Sequence, residues 1–152
     1  MQDSLINLIT SQFKLNLNGD HGIRHWNRVA EIGVYLAKQT GANIQVVDLF
    51  AYLHDAKRED ELFDPEHGQR AAGYAKELYD SGVIGITPDQ MDQLAIACRD
   101  HNNSSATSQD ITIQTCWDAD RLDLWRVGII PDPTHLFTDF AKQSAVINKF
   151  AK

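Results

Sequence analysis

The stretch Ile44–Leu53 constrains this chain more than any other. Its only polar side chains are Gln45 and Asp48, so it must be a buried element with others packed around it. An imidazole and a carboxylate, His54 and Asp55, then follow side by side. Burying either group is costly unless it is paired or bound to a metal. Neighbouring side chains on a helix diverge by about 100°, and a cation lying between them would serve both. Half of a metal site is therefore expected at the end of the central element, and the rest of the chain must supply the other half.

Elsewhere the pattern is helical. Leu5, Leu8, Ile9 and Phe13 share one face of a first helix over 4–14, and a polar loop follows over 16–22. Trp26, Val29, Ala30, Gly33 and Leu36 form the inward stripe of a helix over 23–40, with Gly41 as its stop. The central helix is expected over 44–55. Asp64-Pro65-Glu66 reads as a helix start with Asp64 as its cap, running to about 81 and ending at Gly82. Thr87 and Gln90 make a capping box for a helix reaching His101. A helix over 111–127, with a brief extended start as an alternative, is broken by Gly128, Pro131 and Pro133; a closing helix is expected over 134–150. Repeats and linkers are missing, and strand patterns are almost absent. The expected fold is all-α, a compact bundle of about six to seven helices forming one domain over 1–152.

Composition narrows the function. A hydrophobic fraction of 43% with 23% charged residues is that of a soluble globular chain. No apolar run nears the roughly 20 residues of a membrane span. The first residues lack a signal peptide's basic start and cleavage site, so no membrane association and a cytoplasmic location are expected. The formal net charge of −7 argues against duplex nucleic acid as a partner. It leaves room for a small phosphorylated substrate, because a bound metal and local arginines override the global sign. Cys98 and Cys116 are too few and too far apart for a zinc module and are expected to be buried packing residues.

Two further polar residues stand where partners are needed. His25 lies near the start of the second helix, and Asp120 in the acid-rich turn over 117–123. With His54 and Asp55 they make two imidazoles and two carboxylates. That nitrogen and oxygen set suits a divalent ion such as manganese, iron, magnesium, nickel, cobalt or zinc.

The motifs that carry these residues are His-x-x-Arg-Val at 25–29, Leu-His-Asp at 53–55, His-Gly at 67–68 and Asp-Ala-Asp-Arg-Leu-Asp at 118–123. This ordered set resembles the HD-domain superfamily of metal-dependent phosphohydrolases. The resemblance implies a helical fold, a divalent metal held by His25, His54, Asp55 and Asp120, and hydrolysis of a phosphate ester or anhydride. Nucleotides or small phosphometabolites are the substrate class it implies. Some members hold a second metal through additional histidines. His67 and His101 are the candidates here, for a second metal or for phosphate contact, with Asp55 able to bridge; one or two ions per chain are therefore expected.

Lys57 and Arg58 follow the pair directly and are expected to clamp phosphate, with Arg121 as a further candidate. Asp55, Lys57 and Arg58 are the catalytic candidates. Some members place an acid near the position of Arg58; Glu59 is the nearest here, which leaves the general acid unassigned. Asp118 and Asp123 are expected to orient or salt-bridge, and Arg28 to make a structural ion pair. Glu59-Asp60-Glu61 reads as a solvated loop that could act as a lid. A di-iron oxygenase of the same fold and a non-catalytic metal- or nucleotide-binding signalling module are the alternative functions. A homodimer is compatible with the sequence, though no apolar stripe marks its surface.

Overall fold

The computed structural model describes residues 3–151; the outermost positions of the expected domain, 1, 2 and 152, lie outside the described residues. Along the chain come α1 (Asp3–Gln12), α2 (Ile23–Thr40), α3 (Ile44–Leu53), α4 (His67–Asp80), α5 (Pro88–Asp100), α6 (Ile111–Arg121) and α7 (Ser144–Lys149). Two 3-10 turns, Leu124–Val127 and Pro133–His135, separate the last two helices, and no strand occurs among the described residues. The all-α expectation holds.

Helix α3 is the hub, packing against α1, α2, α4, α5 and α6. Every residue from 49 to 56 is buried, and Phe50 and Leu53 are fully so. Its first turn is not as deep as its composition suggests: Ile44 is exposed. There the helix begins with Asn43, whose side chain accepts Val46 N–H and caps the free end.

Two glycines let the helices come close enough to build a site. A Cβ on Gly33 of α2 would collide with Val47 of α3. On Gly68 of α4, it would lie 2.6 Å from the Arg99 carbonyl and 2.8 Å from the Cys98 carbonyl of α5. The His-Gly pair at 67–68 thus brings the start of α4 against the end of α5, and His67 against His101.

Helix boundaries follow local chemistry where that chemistry is unopposed. Helix α2 spans 23–40 as expected, with Gly41 at φ 81° closing it. Thr87 and Gln90 form the expected capping box of α5. Helices α1 and α3 end two residues before the expected 14 and 55, and three further boundaries are displaced. Asp64 does not cap α4, which starts at His67. Its carboxylate instead accepts Glu59 N–H and pairs with Arg70 at 2.6 Å. Helix α6 stops at Arg121, where the chain tightens into the 3-10 turn Leu124–Val127. The closing helix over 134–150 reduces to Ser144–Lys149. The buried Asp118 carboxylate accepts Phe137 N–H at 2.8 Å, Thr138 N–H at 2.9 Å and the Thr138 hydroxyl at 2.7 Å. Those bonds tie down the backbone that a helix there would have used.

Candidate metal centre

Four histidines and two aspartates from five segments converge beneath the C-terminal end of α3. His25 comes from the first turn of α2, His54 caps α3, and Asp55 follows it. His67 opens α4, His101 caps α5, and Asp120 lies in the last turn of α6. The four imidazoles and Asp55 are buried.

Every imidazole has its Nδ1 side committed to an acceptor. His25 Nδ1 faces Asp123 Oδ2 at 2.7 Å. His54 Nδ1 faces the Phe50 and Ala51 carbonyls at 3.1 and 3.0 Å. His67 Nδ1 faces the Asp64 carbonyl, and His101 Nδ1 the Cys98 carbonyl at 2.7 Å. Carbonyl and carboxylate oxygens only accept, so hydrogen sits on Nδ1, and each ring, when neutral, presents its Nε2 lone pair inward. Those lone pairs meet in twos: His25 Nε2 is 3.1 Å from His54 Nε2, and His67 Nε2 is 3.0 Å from His101 Nε2. Two ring nitrogens about 3 Å apart cannot both present lone pairs unless a proton or a cation lies between them, and a cation shared with the carboxylates would serve every group at once.

The carboxylates complete both groups. Asp120 Oδ1 lies 3.1 Å from His25 Nε2 and 3.3 Å from His54 Nε2. Asp55 divides its two oxygens. Oδ2 is 3.4 Å from both His25 and His54, while Oδ1 is 3.2 Å from His67 and 3.4 Å from His101. A divalent ion sits about 2.0–2.2 Å from such donors, which puts adjacent donors roughly 2.8–3.6 Å apart in octahedral or tetrahedral shells. The observed separations fall in that range, so these buried groups can bind metal.

Electrostatics agree with the geometry. Burial would raise the Asp55 carboxyl, but His54 and the hydrogen bonds of His101, His25 and His67 hold it well below the usual carboxylate range. Asp120 is held well below it too, against its burial, by His54 and His25. Burial would lower His25, and Asp120, Asp123 and Asp55 more than reverse this, raising it to about 10. Both cysteines are buried away from this role, their thiols pushed up chiefly by burial.

No protein-family model matches the chain, and no curated protein sequence does. A solved structure does: a crystal structure of a protein from an uncultured Thermotogales bacterium, described as a predicted HD superfamily hydrolase. It superposes with a TM-score of 0.74 at 27% identity, covering 96% of this chain and 82% of that one. The chain has the HD-superfamily fold. The ordered His and Asp motifs, the seven-helix architecture and the buried cluster agree on it.

Around this HD cluster, the expected cations are placed unequally. Arg58 is buried, with Nη1 3.2 Å from both ring nitrogens of His67. Its Nε donates to the Asp60 carbonyl at 2.8 Å. Lys57 Nζ instead lies 4.1 Å above the Tyr74 ring of α4. Arg121 is drawn to the C-terminal segment: Nη1 donates to the His135 carbonyl at 2.8 Å and Cζ lies 5.0 Å from the Phe137 ring centre. The acidic loop after the HD pair is tied rather than loose. Asp60 accepts Leu62 and Phe63 N–H, and Glu61 meets His21 Nδ1 at 2.9 Å.

Arg28 makes the expected structural ion pair, and its partner is Asp123, at 2.8 Å from Nε. Asp123 therefore joins His25 and Arg28. The sequence signal for this was the His-x-x-Arg spacing, which puts both side chains on one face of α2. No helix among the described residues is long and apolar enough to cross a membrane.

Proposed function

We propose that this chain is a metal-dependent phosphohydrolase acting on a small phosphate ester or anhydride. One observation carries the reading: four inward Nε2 atoms are arranged in two groups around one carboxylate, Asp55. His25, His54, Asp120 and Asp55 Oδ2 would hold one divalent ion; His67, His101 and Asp55 Oδ1 would hold a second. Divalent ions held there would make water more acidic and polarise a phosphoryl oxygen.

The chain's own groups divide the remaining work. Asp123 and the α3 carbonyls fix the tautomers of His25 and His54. The Asp120 side chain is 18% exposed, against 0–5% for the other five members, which makes Asp120 the member an arriving substrate would meet first. Arg58 is the cation nearest the second group and is suited to offset charge on phosphoryl oxygens. Lys57 and Arg121 would have to leave Tyr74 and His135 to join it. The acidic surface and local cations favour a nucleotide or small phosphometabolite over duplex nucleic acid.

The second histidine pair also favours a different reading, paired irons performing oxygen chemistry. Purified protein loaded separately with manganese and iron should be screened for phosphate or pyrophosphate release from nucleotides and phosphomonoesters. The phosphohydrolase reading expects release that is lost in both His54→Ala and Asp120→Ala. Oxygen consumption by the iron form without phosphate release would replace it with the oxygenase.

A further inference from the structure

This acidic chain concentrates its arginines. Of its 14 Lys and Arg residues, Arg24, Arg28 and Arg126 line a single cleft of about 370 Å³, beside Asp20, Asp123, Trp125 and Phe150. Their guanidinium groups are only partly used. Arg28 gives Nε to Asp123 Oδ1. Arg126 gives Nε to the Asp20 carbonyl at 2.9 Å and Nη1 to the Asp123 carbonyl at 3.0 Å. Arg24 gives Nη2 to the Asn18 carbonyl. Among the described residues, both terminal nitrogens of Arg28, Nε and Nη1 of Arg24, and Nη2 of Arg126 have no hydrogen-bond acceptor. Three guanidinium groups face two carboxylates, Asp20 and Asp123, and the Asp123 carboxylate is already shared among His25, Arg28 and, at 3.9 Å, Arg126, so the balance of the cleft is cationic.

The aromatic lining adds a second element of recognition. Trp125 donates its indole N–H to the Ile147 carbonyl at 3.1 Å, which fixes the ring. Phe150 is held against Tyr35 with ring centres 5.6 Å apart. Arginine forks match phosphate oxygens, fixed aromatic rings accept a stacked base, and the volume falls within the usual range of small-molecule sites.

We propose that this cleft binds a mononucleotide, with its phosphate among Arg24, Arg28 and Arg126 and its base against Trp125 and Phe150. The site is distinct from the metal centre. Asp123 stands between them, contacting the Nδ1 side of His25, whereas the metal cluster lies on the Nε2 side. A phosphate held in the cleft is therefore not the one positioned for hydrolysis, and the inference does not depend on which reaction the metal centre performs.

Tryptophan fluorescence provides the test, because Trp26 and Trp117 are 0% and 1% exposed and a soluble ligand can reach only Trp125. Manganese-loaded chain is titrated with adenosine 5′-monophosphate and, separately, with inorganic phosphate. The nucleotide should quench emission and bind at least about tenfold tighter than phosphate, the margin being the stacked base. Arg24→Glu, at an exposed position whose side chain bonds only Asn18, should weaken nucleotide binding at least about tenfold. Metal content and thermal midpoint should stay unchanged in that variant. Asp120→Asn, which disables the metal centre, should leave nucleotide binding within about twofold of wild type, since Asp120 takes no part in the cleft's forks. Binding lost with Asp120→Asn but kept with Arg24→Glu would place the nucleotide at the metal centre and overturn the proposal. Equal affinity for phosphate and nucleotide, or no quenching at millimolar nucleotide, would overturn it too.

Discussion

Asp123 Oδ2 accepts a hydrogen bond from His25 Nδ1 at 2.7 Å while its other oxygen holds Arg28, so a carboxylate 98 residues along the chain fixes which nitrogen of His25 faces the buried histidine–aspartate cluster. Partners of this kind raise ligand basicity and hold ring orientation; removing one typically costs 10–100-fold in metal affinity. Asp123→Asn should therefore weaken manganese binding by roughly 10–100-fold while the helical circular-dichroism spectrum stays unchanged. Titration with a fluorescent chelator as competitor measures it. An unchanged affinity would mean that Asp123 serves only the ion pair with Arg28.

Metal binding should strengthen with pH. In chain stripped by chelator, burial opposes the charge on His25, but Asp120, Asp123 and Asp55 raise its pKa from 6.5 to about 10. A metal ion must displace that proton, so affinity should rise by up to about tenfold per pH unit between pH 6 and 9. Asp55 and Asp120, held well below the usual carboxylate range, take no part in that window. The fold follows the same linkage with its own sign. His25 has its pKa raised on folding, so its contribution is fully present below pH 6.5 and is lost as pH climbs through about 10. Thermal melts of stripped and loaded chain should diverge across that alkaline range.

The C-terminal segment depends on one buried carboxylate. Asp118→Ala removes the acceptor for Phe137 N–H, Thr138 N–H and the Thr138 hydroxyl. Leaving such donors unpaired should cost about 3 kcal/mol, a fall of roughly 6–12 °C in melting temperature for a chain of this size. Limited proteolysis should then cut first within 131–143. A melt within 2 °C of wild type, about the shift expected for an inconsequential surface change, would show that other contacts hold the segment.

Arg58 should act on substrate more than on metal. Arg58→Met keeps the buried stem and deletes the guanidinium beside His67. Loss of a preorganised cation of this kind typically costs about 100-fold in kcat, and the metal count should not fall. Coupled phosphate-release kinetics with metal analysis on the same preparation separates the two effects.

The features readable in the sequence are those set by residues near one another or by rare residue types. Helix α2 and the capping box of α5 are local, and both fall where glycine and Thr87 place them. Histidine and aspartate in otherwise apolar surroundings marked the cluster, because few roles besides metal binding or pairing make such burial tolerable. What escaped depends on distant partners. The closing helix yields to Asp118, roughly twenty residues back, and Asp64 leaves its capping role for Arg70 and the backbone of 59–60. Lys57 and Arg58 are adjacent, yet the turn after α3 sends one to Tyr74 and the other to His67. Nor could spacing alone show that Asp55 divides its oxygens between two histidine pairs.

That division can be counted. Chain reconstituted with manganese and cleared of free ion by gel filtration should carry about two ions in wild type and about one in His101→Ala, and close to none in Asp55→Ala, because a shared carboxylate supports both members of a two-metal pair. Mass-spectrometric metal analysis of the three proteins at equal concentration reads this directly. An Asp55→Ala chain that keeps the wild-type metal count would contradict the account at its centre.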